Sequence, residues 1–210
     1  MALSRTSVNN FSSLLIDNLV EIFRLSKNPK LTFESIPNSS EQKAVLTKLV
    51  QKSAKGIEYW NEQELVMKYL SFIVDVADLI GQNYNIFAER NLSAKIDNIK
   101  LAGKVDFVVA KGQTSPDKPY FFIQEYKRSR QNTNSDPLAQ LIGEMLVAQK
   151  LNEENLIHGA YIVGQFWYFV VMKEREYNVF AALDSAILAD LEVIMSKLNW
   201  IKQYVENKLK

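Results

Sequence analysis

The sequence predicts a single α/β domain, and three observations carry that prediction. A chain of 210 residues is long enough for one substantial core, and a second full domain would be cramped. Hydrophobic residues make up 47% of the chain and charged residues 23%, which is typical of a globular protein. From residue 61 onward the apolar pattern changes in the order helix, strand, strand, strand, helix, strand, strand.

Helical spacing of apolar residues predicts three helices before the first strand. The first covers Ser7 to Lys27 and ends at Asn28-Pro29, because the residue before proline disfavours the α region. The second covers residues 40–53. The third runs from Glu62 to Ile80, with Asn61 as its N-cap.

Alternating and β-branched runs in the rest of the chain predict a sheet. The predicted strands are Tyr84–Ala88, Ile99–Ala110, Pro119–Lys127, His158–Val163, Phe166–Met172 and Tyr177–Ala181. Two further helices are predicted, over residues 136–152 and 184–207, and Asp136-Pro137 opens the first of them. We therefore expect residues 1–55 to form a helical extension that packs on one globular core of residues 56–210.

The composition excludes several kinds of chemistry. There is no cysteine, so disulfides, zinc thiolate sites and thiol catalysis are excluded. No glycine-rich phosphate loop is present, and Ser-His-Asp catalysis would depend on His158, the single histidine, for which a structural role is favoured. A net charge of +1 does not by itself predict nucleic acid as a partner.

Targeting signals are not apparent in the sequence. The N-terminus has no basic region followed by an apolar core, so no signal peptide is predicted. No apolar run reaches the roughly 18 residues that a membrane-spanning helix requires. We therefore expect a cytoplasmic protein that does not enter a membrane.

Two carboxylates and a lysine in consecutive strands form the pattern that points to chemistry. Glu125 and Lys127 are separated by one residue, so a strand places both side chains on the same face. If residues 111–119 form a hairpin turn, Asp106 faces Glu125 from the neighbouring strand. Burying these charges in apolar strands is costly unless each has a partner, and a metal ion held by Asp106 and Glu125 would be one.

The three residue types fit the requirements of phosphodiester hydrolysis. Mg²⁺ prefers hard oxygen ligands and keeps several waters, so one or two carboxylates suffice to bind it. The ion polarises the phosphoryl oxygen, supplies hydroxide at neutral pH and stabilises the leaving oxygen. A lysine beside the ion can orient or deprotonate the attacking water, or offset charge in the transition state.

These motifs resemble the PD-(D/E)XK nuclease superfamily, which has the restriction endonuclease-like fold. The resemblance rests on residues 103–106 (GKVD), residues 124–127 (QEYK) and a following helix that carries Gln140, and it spans about Glu62 to Met172. It implies a core of the order α-β-β-β-α-β, in which a mixed central sheet is flanked by helices. The sequence departs from the PD-(D/E)XK motif at Val105, which stands at the position of the motif's proline.

The resemblance also implies roles for individual residues. Asp106 and Glu125 would be metal ligands with Mg²⁺ or Mn²⁺ as cofactor, the backbone carbonyl of Tyr126 would be a third ligand, and Lys127 would be the catalytic lysine. Glu64 matches the position of an extra acidic residue in some members, although Glu62 competes with it. Gln140 resembles the helix glutamine of RecB-like members, which carry tyrosine four residues later, where this chain has Glu144.

Structural roles for the same residues stay open on the sequence alone. Glu125 and Lys127 can form a salt bridge on a solvated face, which is worth little energetically. Asp106 can cap a turn at a strand edge. Gln140 and Glu144 lie on one side of a helix that faces either solvent or the site. Basic residues after the third strand can contact phosphates or form a solvated loop, and these are Arg128 and Arg130.

The sequence thus predicts a Mg²⁺-dependent phosphodiester hydrolase that acts on nucleic acid, with DNA as the expected substrate. One alternative is a catalytically silent member of the same fold that serves as a binding or assembly module. Another is a structural dimer built on the terminal helices. A homodimer is also compatible with the nuclease, since cleavage of two strands would use two copies.

Overall fold

A computed structural model of the chain describes residue 3 and residues 7–53, 56–127 and 136–210, with the backbone alone at positions 58 and 62. In this part of the chain the fold is α/β, with one mixed sheet between helices. Its strands are β1 (Val8–Asn10), β2 (Ser26–Lys27), β3 (Tyr84–Ile96), β4 (Ile99–Lys111), β5 (Asp117–Lys127), β6 (Leu156–Val163), β7 (Phe166–Lys173), β8 (Glu176–Val179) and β9 (Leu183–Asp184). Its α-helices are α1 (Ile16–Phe23), α2 (Ser40–Ser53), α3 (Glu62–Leu65), α4 (Ser71–Ala77), α5 (Pro137–Asn152) and α6 (Leu188–Lys208).

The strands of the sheet follow the order β1-β4-β5-β6-β7-β8-β2, with β3 paired to β4 and β9 paired to β7. The hairpins β3–β4, β4–β5 and β6–β7 are antiparallel, whereas β5 and β6 are parallel and are connected through α5. The predicted order of helix, three strands, helix and strand from Glu62 onward is therefore confirmed. None of the helices in the described ranges is long and apolar enough to cross a membrane.

The sheet separates two hydrophobic layers. Helices α1 and α5 cover one face, and we call this the α5 side. Helices α2, α3, α4 and α6 cover the opposite face. Helix α5 is buried from Ala139 to Ala148, so it is an internal helix rather than a surface one.

Asp136 fixes the start of α5 and joins it to α1. The side chain of Asp136 accepts hydrogen bonds from the N–H of Ala139 at 3.0 Å and from the N–H of Ile16 at 3.0 Å. One carboxylate thus satisfies unpaired amides at the first turns of two helices. Pro137 follows as the first helical residue, as the sequence predicts.

The prediction of one helix from Ser7 to Lys27 is wrong. This segment contains β1, a 3₁₀ turn at Phe11–Ser13, α1 and β2. The apolar residues of the turn pack into spaces left by glycines: a Cβ at Gly103 would lie 2.6 Å from the ring of Phe11. The apolar spacing that is typical of a helix therefore reflects packing on β4 and α5, and tertiary contacts override local propensity.

The prediction that residues 1–55 form an all-helical extension is also wrong. Strand β1 pairs in parallel with β4, with Val8 opposite Lys100, and β2 pairs in parallel with β8, with Ser26 opposite Glu176. Both strands belong to the same sheet as the core. Helix α2 matches the expectation, since its buried residues pack against the layer formed by α4 and α6.

The single histidine is a core residue with no hydrogen bond to Nδ1 among the described residues. The ring of His158 lies 4.9 Å from that of Trp200, 5.1 Å from that of Tyr204 and 5.3 Å from that of Phe33, measured between centroids. Burial lowers the pKa of His158 to about 4. The structural role that the sequence favours for this residue is consistent with its surroundings.

We expect His158 to make folding stability depend on pH. An unfolded histidine takes up a proton below about pH 6.5, whereas the buried ring resists protonation until about pH 4. Wild type should therefore lose about 2 to 3 kcal/mol of stability from this group between pH 7.5 and pH 4.5. His158→Phe should remove this contribution, as measured by urea unfolding at both pH values. An unchanged pH dependence in the variant would contradict the assignment.

Candidate functional site

Asp106 lies where the edge of β4 changes partner. Along one edge β4 pairs with β3, and along the other it pairs first with β1, up to Ala102, and later with β5, from Phe107. Along the second edge of β4, residues 103–106 pair with neither β1 nor β5 in the described part of the chain. We call this stretch the gap. Asp106 is the last residue of this gap, directly before the ladder with β5 begins.

The strands are irregular at the same point. Val105 and Val108 of β4 both pack on the α5 side, although residues three positions apart in a regular strand face opposite sides. Glu89 of β3, which lies across from Asp106, has a φ of 51° and interrupts the alternation there. The charge of Asp106 raises the pKa of Glu125 and of Glu144, which lie on the α5 side.

A side chain continues the hydrogen bonding where the ladder stops. The carboxylate oxygen Oδ2 of Asp106 accepts a hydrogen bond of 2.8 Å from the N–H of Tyr126. In an extended strand the N–H and the carbonyl of one residue point to the same edge, so the Tyr126 carbonyl also faces β4. The backbone group predicted as a third ligand thus faces the edge on which Asp106 lies, and its role as a ligand stays a prediction.

Glu125 and Lys127 form a buried ion pair on β5. The two side chains lie on the same face, and Oε1 of Glu125 is 2.5 Å from Nζ of Lys127. Glu125 is only 1% exposed, whereas the side chain of Lys127 is 18% exposed. The alternative of a salt bridge on a solvated face is therefore wrong, and the lysine is the member of the pair that water can reach.

Helix α5 adds a third carboxylate to this pair. Gln140 and Glu144 are both buried, so the solvent-facing alternative for them is wrong as well. Glu144 is 0% exposed, and its carboxyl group lies near enough to that of Glu125 for the charge of Glu125 to raise its pKa. The helical spacing of Gln140 and Glu144 leaves a site-facing position open, and the structure shows Glu144 beside Glu125.

The cluster of Asp106, Glu125, Glu144 and Lys127 has three carboxyl groups and one ammonium group, and most of it is buried. Burial, followed by the charge of Asp106, raises the pKa of Glu125 to about 8, and Lys127 opposes this shift. Burial, followed by the charges of Glu125 and Asp106, raises the pKa of Glu144 well above its usual range. Three carboxyl groups thus face one ammonium group, and protonation offsets part of the repulsion when no other cation is bound.

The donor atoms fit a hard divalent cation. Oε2 of Glu125 and both carboxylate oxygens of Glu144 are buried and accept no hydrogen bond from an N–H or hydroxyl of the described residues. Mg²⁺ and Mn²⁺ prefer such oxygens, and Mg²⁺ needs only one or two carboxylates because it keeps several waters. The described side chains contain no ready-made group of three or more ligands around one point, so the cation would draw on Asp106 and Glu125 with water.

Other predicted site residues are placed elsewhere or are not described. Glu64 is half-exposed at the N-terminus of α3, where it accepts a hydrogen bond from the N–H of Asn61 at 3.1 Å and pairs with Lys68 at 2.5 Å. These contacts give Glu64 a capping role, and the structure does not bring it to Glu125. Arg128 and Arg130 lie outside the described residues, so their predicted contact with nucleic acid stays a prediction.

A scan against protein-family models gives no match, and a search of the curated proteins gives none. Among solved structures the chain is similar to the crystal structure of SSO0001, with 14% sequence identity and a TM-score of 0.28, over 76% of this chain and 74% of that chain. A similarity at that score carries no argument about function.

We expect Glu144→Gln to change how stability depends on pH in metal-free buffer. Because the pKa of Glu144 is raised, mainly by burial, the folded state should release the Glu144 proton at higher pH than the unfolded state, whose ordinary pKa is about 4.3. The wild type should therefore lose stability relative to the variant as pH rises from 5 to 8, as measured by chemical unfolding in EDTA. Glu154→Gln, in an exposed ion pair with Lys208, is the matched control and should show no comparable trend. A constant stability difference between Glu144→Gln and wild type at all pH values would contradict the raised pKa of Glu144.

Proposed function

We propose that the protein is a Mg²⁺- or Mn²⁺-dependent phosphodiester hydrolase with a restriction endonuclease-like core of the PD-(D/E)XK type. The observation that carries the proposal is the convergence of Asp106, Glu125 and Lys127 beside the gap in the edge of β4. Glu144 completes the cluster from α5. The order of elements from α3 to β6 agrees with the core that the sequence motifs imply.

The carboxylates supply the ligands that the ion requires. Asp106 and Glu125 would hold it, and the Tyr126 carbonyl at the same edge is the candidate third ligand. When bound, the cation polarises the phosphoryl oxygen and lowers the pKa of water. Because Asp106 is fixed by the N–H of Tyr126, its free carboxylate oxygen keeps a defined direction without a further side chain.

Lys127 is the residue suited to act on water. Its side chain is partly exposed, whereas that of its partner Glu125 is buried, so the ammonium group lies at the boundary between the cluster and solvent. From this position it can orient the attacking water by hydrogen bonding and offset charge that develops on the phosphate. Glu144 lies beside Glu125 on α5 and is fully buried, so it would position that carboxylate rather than contact a substrate. Gln140 is buried on the same helix, and its role as a site residue stays a proposal.

The proposed substrate is nucleic acid, with DNA expected. A phosphodiester linkage is the bond for which a carboxylate-bound divalent cation and a lysine are suited. With a net charge of +1, the whole chain would not attract a polyanion strongly, so binding would rely on the local site. A homodimer, which would allow cleavage of two strands, is part of the same proposal.

One observation favours a second candidate, a catalytically silent module of the same fold. Glu125 already has a close partner in Lys127, so the pair satisfies its charge in part without a metal ion. Such a protein would bind nucleic acid in a salt-dependent manner without cleaving it.

The cleavage assay separates these two candidates. Wild type should cleave at least one member of a panel of single-stranded, duplex and branched DNA and RNA in the presence of Mg²⁺ or Mn²⁺, and EDTA should stop cleavage. Lys127→Ala should lower kcat by at least about a hundredfold, since it removes a group that acts on the transition state. Lys95→Ala, an exposed lysine on β3, is the matched control and should keep activity.

Two results would count against the nuclease. Cleavage that persists in Lys127→Ala would place the activity elsewhere or in a contaminant. Folded protein that binds the oligonucleotides with a steep salt dependence, yet cleaves none of them, would favour the silent module.

A further inference from the structure

A cavity of about 680 Å³ opens beside the carboxylate cluster, on the face of the sheet opposite α5. One wall is formed by the segment from α3 to α4, and the other by strands β3, β4 and β5. Asp106, Phe107 and Tyr126 line the cavity where it meets the cluster. Asp106 therefore belongs both to the proposed hydrolytic site and to the boundary of this cavity.

The walls of the cavity are apolar. Its aliphatic side chains come from both walls and include Val66, Met67, Leu70, Ile80 and Ile86. Met67 and Ile80 are 74% and 53% exposed, so the apolar lining of the cavity continues to its mouth. An apolar surface favours the transfer of a flat or aliphatic group out of water. The flexible side chain of methionine can pack against groups of different shape.

The charged residues of the cavity are all acidic in the described part of the chain. Asp78 pairs with Lys202 and Glu89 pairs with Lys104, whereas the carboxylate of Asp75 has no cationic partner among the described residues. A phosphate group would be repelled by this lining. A neutral group that carries N–H donors, such as the amino group of a nucleobase, would instead be complementary to Asp75.

The wall that carries Met67 has an irregular backbone. Residues Val66–Leu70 form a π-helical turn between α3 and α4. π-Helical turns are rare in proteins, and those that do occur are frequently at functional sites. The turn supplies three of the apolar side chains of the cavity, namely Val66, Met67 and Leu70.

We propose that this cavity binds an unpaired nucleobase of the nucleic acid whose phosphodiester is hydrolysed next to Asp106. The inference rests on the proposed function, and it specifies the substrate as a strand from which a base can leave its stack. An end, a single strand or a flipped nucleotide meets this requirement, whereas a fully stacked duplex meets it only after unpairing. Binding is through apolar contact and the Asp75 carboxylate, and the phosphates stay outside.

The experiment measures nucleoside binding without cleavage. Methyl-labelled protein is titrated with adenosine and, separately, with ribose 5-phosphate, and the methyl resonances of Met67, Ile80 and Ile86 are followed by NMR. Adenosine should shift these resonances, and ribose 5-phosphate should leave them unchanged. Asp75→Asn should weaken adenosine binding about fivefold, since it removes an ionised hydrogen-bond acceptor.

Variants that fill the cavity locate the site. Ala88→Trp and Ser71→Trp introduce an indole from opposite walls and should each abolish the shifts, so that one informative variant remains if the other does not fold. Ser93→Trp places the same residue on β3 outside this cavity and should bind adenosine as wild type does. A one-dimensional spectrum of each variant checks its folding.

The outcomes distinguish this inference from the proposed function. Absence of adenosine-induced shifts, or equal shifts with ribose 5-phosphate, would overturn the base site even if the protein cleaves oligonucleotides. Shifts that vanish in Ala88→Trp or Ser71→Trp support the base site even if the cleavage panel is negative, in which case only the hydrolytic function fails. Shifts that survive both filling variants would place the adenosine elsewhere and overturn the inference.

Discussion

The constraint on which the site depends is the burial of Glu125 and Glu144 beside the half-buried Asp106, with Lys127 as the one ammonium group of the cluster. Asp106 and Glu125 come from two strands and Glu144 from a helix, and the charge of Asp106 adds to burial in raising the pKa of both Glu125 and Glu144. Such a cluster costs stability in an apolar core unless a cation or a proton compensates it. A divalent cation is the compensating group for which hard, buried carboxylate oxygens are suited.

The fold around the cluster makes this burial possible. The apolar layer on the α5 side excludes water from Glu125 and Glu144, and helix α5 is anchored by Asp136, which also holds α1. The gap at residues 103–106 provides the opening through which Asp106 meets both the cluster and the cavity. The apolar residues thus keep Glu125 and Glu144 buried, and Asp106 at the break in regular pairing lies on the boundary of the cavity.

The sequence predicts the parts of this arrangement that depend on local periodicity. The placement of Glu125 and Lys127 on one face of β5 follows from a period of two, and the polar turn predicts that Asp106 lies on the neighbouring strand. The irregularity of β4 at Asp106 has no signal in the sequence. Glu144 could not be assigned, because α5 is apolar on all sides and its pattern gives no direction to a single polar residue. Strands β1 and β2 are too short for a periodic signal, and their pairing with β4 and β8 depends on contacts distant in sequence.

The measurement that tests the central claim most directly is the thermal stability of the protein against Mg²⁺ and Mn²⁺ concentration at constant ionic strength. If the cluster binds the ion, the free energy of unfolding of wild type rises with concentration, by about 2.7 kcal/mol at a hundred times Kd. Asp106→Asn should lose this stabilisation, and Glu64→Gln, whose carboxylate caps α3, should retain it. Wild type that gains no stability from either ion, or an equal gain in Asp106→Asn, would contradict a metal centre at these carboxylates.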